Sequence, residues 1–322
     1  MSEERTSEKS RQRTVSVIIP VCDHAALLPI LLQQVAEQRP AVLETILLDS
    51  CQNDDLGQIM AVHPLVRRIT VPPGAFDHGA TRASGVGEAR GEIVVLLTQD
   101  VSLCGADAIA ELVRPLTAEE KVAASFGRQL PSPAAHFFAR RLREHNYPAR
   151  SRVFFFEDRK EHGIKTTFCS NSFAAFQRNI LLQQGNFQGG LLFGEDMHMA
   201  ARLLLAGFGV AYAAGACVVH SHNYSMGEDF RRYFDMGVFH RRESRLLEQF
   251  GTAEKEGMRY LVEELRTMVT GRTVVHLPQW CGRTLMKFLG YFLGKRYVHL
   301  PYAFAVRCSL NRRWWRRQCL ES

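Results

Sequence analysis

The chain lacks the short, recurring cysteine spacings from which metal clips and disulfide frameworks are built. Its eight cysteines (Cys22, Cys51, Cys104, Cys169, Cys217, Cys281, Cys308 and Cys319) include no CxxC pair, so they read as reduced thiols of a cytoplasmic protein. The first residues, MSEERTSEKSRQRT, contain no apolar stretch. That excludes a secretion signal there and suggests a disordered lead over residues 1–13. Long hydrophobic runs are also missing. The candidate, Leu203–Val219, is 17 residues and is interrupted by Gly207, Gly209 and Gly215, which reads as a helix end, a turn and a buried strand rather than a membrane span. There is no GxGxxG and no GxxxxGK[ST], so the phosphate cradles of dinucleotide-binding and P-loop proteins are absent. Finally, acid is missing from one end. Leu265–Leu320 holds eleven Lys and Arg and no Asp or Glu, so the net charge of +7 divides into a basic end and a remainder with 29 basic and 33 acidic residues.

What is present is a globular composition, 46% apolar and 23% charged, with a regular alternation. VSVIIP (Val15–Pro20), VLETILLD (Val42–Asp49), VRRITV (Val66–Val71) and EIVVLL (Glu92–Leu97) read as strands. Helical patterns over Leu27–Gln38, Leu56–His63 and Thr81–Ala89 separate them. Strand–helix alternation over about 100 residues predicts an α/β layer with a largely parallel sheet, whose ligands bind outside the carboxyl ends of the strands. Those ends carry Pro20, Val21 and Cys22, then Asp49, then Gln99 and Asp100. Two carboxylates there suit a nucleotide, one accepting a base N–H and one holding a metal on phosphates. Taken singly, each is more often a turn former or helix cap. Further on, strands are expected at Val122–Arg128 and Cys169–Arg178, and helices at Pro133–Glu144, after Gly194, and at Phe230–Phe250, Ala253–Met268 and Arg283–Leu293.

The motifs VSVIIPVCD, ILLDSCQNDD, FDHGATRASG, LLTQD, GRQLP, SNSFAAF, GED and HSH, in this order from Val15 to Gly257, resemble the family 2 glycosyltransferases. They look most like the bacterial rhamnosyltransferases that build O-antigen and related polysaccharides. The resemblance implies an α/β, GT-A (Rossmann-like nucleotide-diphospho-sugar transferase) fold over residues 14–250, with a nucleotide-sugar half (14–101), an acceptor half (102–250) and a helical basic extension (251–322). It implies a nucleotide-sugar donor site of Pro20, Val21, Cys22, Asp49, His78, Arg82, Gln99 and Asp100. Asp100 matches the last residue of a DxD motif whose first aspartate is here Thr98, and Ala83 replaces a family asparagine. Arg82 is expected on the donor phosphates.

Sugar transfer needs a cation on the leaving diphosphate and a base for the acceptor hydroxyl. The resemblance gives the base to Asp196, with Glu195 supporting it or binding acceptor. Their place at a helix start is expected to lower the Asp196 pKa and keep it ionised. His220 and His222 follow a buried strand and alternate onto one face, so either could join Asp100 around Mg²⁺ or Mn²⁺. Arg128 and Asn171 are expected on the acceptor side, and Gln129 beside Arg128 looks equally like a substrate-side or a loop residue. The predicted reaction is a single in-line displacement with inversion.

The aromatic and basic residues of Leu285–Val306 and the run NRRWWRR (Asn311–Arg317) suit an anionic membrane surface better than nucleic acid, for which no motif is present. Helical packing on the domain or on a homodimer partner is the alternative. The reading is therefore a cytoplasmic, peripherally membrane-bound transferase of L-rhamnose from dTDP-L-rhamnose to a saccharide or lipid-linked saccharide. Its rivals are another donor, or a silent nucleotide-sugar-binding scaffold.

Overall fold

Val- and Ile-rich runs become strands covered on both faces, and the helices between them cover the sheet. The computed structural model describes residues 13–22, 27–50, 55–72, 74–271 and 273–318; expectations on the N-terminal lead, on residues 51–54 and on Cys319 lie outside them. The strands are β1 (Val15–Val21), β2 (Glu44–Asp49), β3 (Val66–Thr70), β4 (Ile93–Leu97), β5 (Ser102–Leu103), β6 (Val122–Leu130), β7 (Arg152–Phe154), β8 (Phe173–Gln177) and β9 (Gly209–Val219). They form one sheet ordered β3-β2-β1-β4-β8-β6-β9-β5, with β7 on β9. The first four are parallel, as expected. β8 runs antiparallel to both β4 and β6, and β9 is parallel to β6, so the second half is mixed.

The helices are α1 (Leu28–Ala36), α2 (Asp55–Ala61), α3 (His78–Glu88), α4 (Ala108–Ala118), α5 (Phe137–Asn146), α6 (Arg159–His162), α7 (Arg178–Gln183), α8 (Glu195–Leu205), α9 (Met226–Arg242), α10 (Ser244–Leu247), α11 (Ala253–Thr270), α12 (Leu277–Lys295), α13 (Tyr302–Cys308) and α14 (Arg312–Gln318). Strand alternation sorts the core into two layers. Val17, Ile19, Val95 and Leu97 pack with Leu28 and Leu31 of α1 and Leu112 of α4. Ile18, Ile46, Leu48 and Leu96 pack with Val86 of α3 and Met199 and Leu203 of α8. Leu28, Leu31, Leu32 and Val35 are the buried stripe of α1, spaced as one helical face requires. Truncating one such leucine would cost about 2–5 kcal/mol.

Several boundaries differ from expectation for local reasons. β8 begins only at Phe173, because Ser170–Ser172 form a turn closed by the Phe173 N–H donating to the Ser170 carbonyl at 3.2 Å. α9 begins earlier than Phe230, at a capping box in which Ser225 and Glu228 satisfy each other's backbone N–H groups. α12 begins at Leu277, with Pro278 in its first turn. The apolar run after Leu203 is the end of α8, a turn at Gly207 and strand β9. Among the described residues no helix is long and apolar enough to cross a membrane.

The tail required a correction. Trp314 and Trp315 are 4% and 6% exposed, packed with Leu192, Phe234, Val238, Ala305 and Cys308, so they do not face a membrane. The Trp314 indole N–H donates to the Gly190 carbonyl at 2.8 Å, and Arg317 reaches the carbonyls of Gly74 and Phe76. The extension closes against the catalytic layer through α9 and α12, where Gly290 and Gly294 meet the backbone of Phe230 and Phe234 so closely that a Cβ would collide.

Candidate active site

One edge of the sheet collects the predicted residues. The carboxyl ends of β1, β2, β4, β6 and β9 and the start of β8 all point there, as their parallel and antiparallel registers dictate. Val21 is in register with Asp49 across β1 and β2. Asp49 is fully buried and ion-paired with Arg68 of β3. At the end of β4, Gln99 makes two bonds to the backbone of Cys22: its Oε1 accepts from the Cys22 N–H at 2.9 Å and its Nε2 donates to the Cys22 carbonyl at 2.7 Å. Gln99 thus ties the ends of β1 and β4 together and holds Pro20–Cys22 in place.

Asp100 follows, and both late histidines converge on it. Asp100 Oδ2 lies 3.2 Å from His220 Nε2 and 3.6 Å from His222 Nε2. The three possible ligand atoms lie within 4.8 Å of one another. Burial opposes ionisation of Asp100, but the hydrogen bond and charge of His220 outweigh it and hold the carboxylate well below its usual range. Burial, then the neighbouring His220, pulls His222 down to about 4, leaving its ring neutral at ordinary pH. One carboxylate oxygen and two imidazole nitrogens are a ligand set that fits a divalent cation. Two imidazoles thus stand beside Asp100, where Thr98 offers no carboxylate.

The second cluster is built at the start of α8. Gly194 holds φ at +73°, and a Cβ there would meet the Phe239 ring at 2.7 Å, so glycine delivers the chain into the helix at this angle. Glu195 Oε1 then accepts from Arg82 Nη1 at 2.6 Å, both side chains being buried, and from Asn171 Nδ2 at 3.3 Å. Asp196 accepts from the backbone N–H groups of Met197 (2.8 Å) and Asn171 (3.3 Å). Burial would raise the Glu195 pKa, but Arg82 and then His78 pull it below the usual value. Asp196 behaves oppositely: dense surroundings and then the charge of Glu195 push it up to about 7. The expectation that the helix start keeps Asp196 low is therefore overturned. The dipole acts, through the Met197 N–H, but an adjacent carboxylate in a confined site outweighs it. Asp196 keeps partial exposure.

Arg82, expected on the phosphates, is 4% exposed and engaged with Glu195. His78 sits one turn before it on α3, edge-on to Phe76 at 4.9 Å, its pKa lowered by burial and then by Arg82. Arg128 Nε donates to the Tyr147 carbonyl at 3.2 Å. Sequence reading missed Arg143 of α5, whose Nη1 donates to Gln129 Oε1 at 2.5 Å behind His220; a basic helix with no motif carried no signal for it.

Comparison with known proteins gives the family and the fold. A family model described as glycosyl transferase family 2 matches residues 16–184. The O-antigen chain rhamnosyltransferase RfbN of Salmonella typhimurium is 35% identical over 306 residues, 94% of this chain and 96% of the relative. The O-antigen chain rhamnosyltransferase WbaN of Salmonella anatum is 37% identical over 277 residues, 84% of this chain and 86% of the relative. Among solved structures, the mannosyltransferase PcManGT of Pyrobaculum calidifontis, in complex with GDP-Man and Mn²⁺, superposes with a TM-score of 0.58 at 17% identity, covering 94% of this chain and 87% of that one.

Proposed function

We propose a donor, an acceptor and a metal for a chain that belongs to glycosyl transferase family 2 and is a glycosyltransferase. The donor is dTDP-L-rhamnose and the acceptor a growing O-antigen saccharide, free or lipid-linked. The observation that carries this reading is identity of 35% and 37% to two rhamnosyltransferases over most of both chains. The metal is Mn²⁺ in preference to Mg²⁺: two imidazoles beside one carboxylate suit the softer ion, whereas Mg²⁺ favours an all-oxygen shell.

In this reading Asp100, His220 and His222 hold the cation, which when bound neutralises the charge growing on the leaving diphosphate. Asp49 and the Pro20–Cys22 segment, tied by Gln99, receive the nucleotide. Asp196 takes the proton from the attacking hydroxyl, and a pKa near 7 matches that task at neutral pH. Glu195 stays ionised on Arg82 and keeps the proton affinity of Asp196 high. Attack from the Asp196 side, opposite the leaving diphosphate, inverts C1. Arg128 and Asn171 border the acceptor side.

A nucleotide-sugar panel with Mn²⁺ tests the donor. Release of dTDP from dTDP-L-rhamnose in the presence of O-antigen saccharide supports it; turnover of another nucleotide-sugar alone replaces the donor, and binding without turnover leaves a silent scaffold.

A peripheral membrane contact is proposed for α12 rather than for the tryptophans. Leu285, Phe288, Leu289 and Phe292 are exposed on successive turns, with Arg296 stacked over Phe292 at 3.7 Å. What supports an anionic surface as the occupant is charge: α12 itself carries no acid, and beside Phe288 and Phe292 the cations Arg241, Lys295 and Arg296 outnumber Glu254.

A further inference from the structure

The GRQLP stretch contributes a residue that neither the donor nor the acceptor reading uses. Gln129, near the end of β6, is 1% exposed. Its Oε1 faces two groups, Arg143 Nη1 at 2.5 Å and His220 Nδ1 at 2.9 Å, and its Nε2 donates to Ser170 Oγ at 2.9 Å. A guanidinium can only donate, so the amide atom facing Arg143 must be the oxygen. With the amide oriented in this way, the His220 nitrogen facing the same oxygen must carry a proton. That leaves Nε2, 3.2 Å from Asp100, as the nitrogen that donates to the carboxylate when protonated and offers its lone pair to a cation when not. A proton on Nε2 or a metal ion in its place satisfies both groups, and either requires Nδ1 to be the nitrogen turned to Gln129. The backbone fixes the rest, since the His220 N–H donates to the Leu130 carbonyl at 2.9 Å beside Gln129.

From this we infer that Gln129, oriented by Arg143, is a positioning residue that sets the tautomer and ring angle of His220 for metal binding. Ser170 extends the chain of contacts toward the other cluster, because the next residue, Asn171, bonds both Glu195 and Asp196. The inference rests on the reading that Asp100, His220 and His222 hold the metal. A partner of this kind behind a ligating histidine typically governs affinity by 10–100-fold when removed.

The test is Mn²⁺ binding to the full chain without donor, followed by electron paramagnetic resonance titration. Gln129→Leu, of similar shape but without the acceptor, should bind Mn²⁺ about 10–100-fold more weakly, with an unchanged far-ultraviolet spectrum. Gln129→Glu, which keeps an acceptor oxygen, should remain within a few-fold of the wild-type protein. Arg143→Met, which frees the amide to flip, should weaken binding by less than Gln129→Leu. It should also shift the His220 ring toward the other tautomer in ¹⁵N spectra, and it serves if Gln129→Leu does not fold. Folded Gln129→Leu or Arg143→Met with wild-type Mn²⁺ affinity and tautomer overturns the positioning role. Asp100→Ala with undiminished Mn²⁺ binding overturns the metal reading itself, and this inference with it.

Discussion

Arg82 closes on Glu195 at 2.6 Å in a buried pair, while Asp196, the next residue, has among the described residues no cation in direct contact and accepts from the backbone N–H groups of Met197 and Asn171. Two adjacent carboxylates are thereby given different proton affinities, one held ionised and one poised near neutrality. Separation of this kind is how a site divides supporting and proton-transfer roles between like groups.

The pH dependence follows from the raised Asp196. A base works only when deprotonated, so kcat/KM should fall about tenfold per pH unit below about 7. Burial and then Glu195 set this limb, opposed by the backbone N–H groups of Met197 and Asn171 and by Arg82. Asp196→Asn should lower kcat by roughly 10²–10⁴ with donor affinity retained, as measured by steady-state kinetics and calorimetry. Retained transfer in Asp196→Asn would remove it as the base.

Removing the cation from the buried pair is expected to be costly. Arg82→Met leaves Glu195 buried without compensation and should destabilise the fold by about 3–5 kcal/mol. Adding Glu195→Gln should recover most of that in chemical denaturation. Equal stability of Arg82→Met and the wild-type protein would show that the pair is not coupled.

Chelation provides a metal test independent of any substitution. Dialysis against EDTA should end transfer and lower Tm, and Mn²⁺ at a hundredfold its Kd should return about 2.7 kcal/mol of stability. Unchanged Tm and activity after chelation would contradict a resident cation at Asp100, His220 and His222.

Phe288→Glu combined with Phe292→Glu should abolish sedimentation with phosphatidylglycerol vesicles while leaving transfer to a soluble saccharide intact. If the wild-type chain ignores such vesicles and instead sediments as a dimer that the double variant breaks, the face belongs to a second copy.

Trp315→Ala should cost about 3–5 kcal/mol, because the indole is enclosed by Phe234, Tyr297 and Tyr302. A surface-level change below about 0.5 kcal/mol would mean that the tail is not part of the core.

Period and composition made the parallel half legible: VSVIIP, VLETILLD and EIVVLL could hardly be anything but covered strands, and the ends of the last two pointed to Asp49 and Asp100. The GED and HSH motifs likewise led to Glu195, Asp196, His220 and His222. Two things were hidden because they depend on partners distant in sequence. The pKa of Asp196 depends on its burial and then on Glu195, which Arg82, 113 residues earlier, holds in place. The fate of NRRWWRR depends on Leu192 and Phe234 being available to cover its tryptophans, which an aromatic–basic pattern alone cannot express.

The place of β9 in the sheet bears on how such proteins can be rearranged. This strand, the last of the nine in sequence, lies between β6 and β5 and carries His220 at its end, while Glu195 and Asp196 lie on the helix just before it. The region matched by the family model stops at residue 184, before all three of these side chains. The two ends of the sheet are consequently not separable cassettes. A recombination at residue 101 would pair a foreign Asp100 with native histidines, and the cross-strand register linking them would have to be inherited from both parents at once.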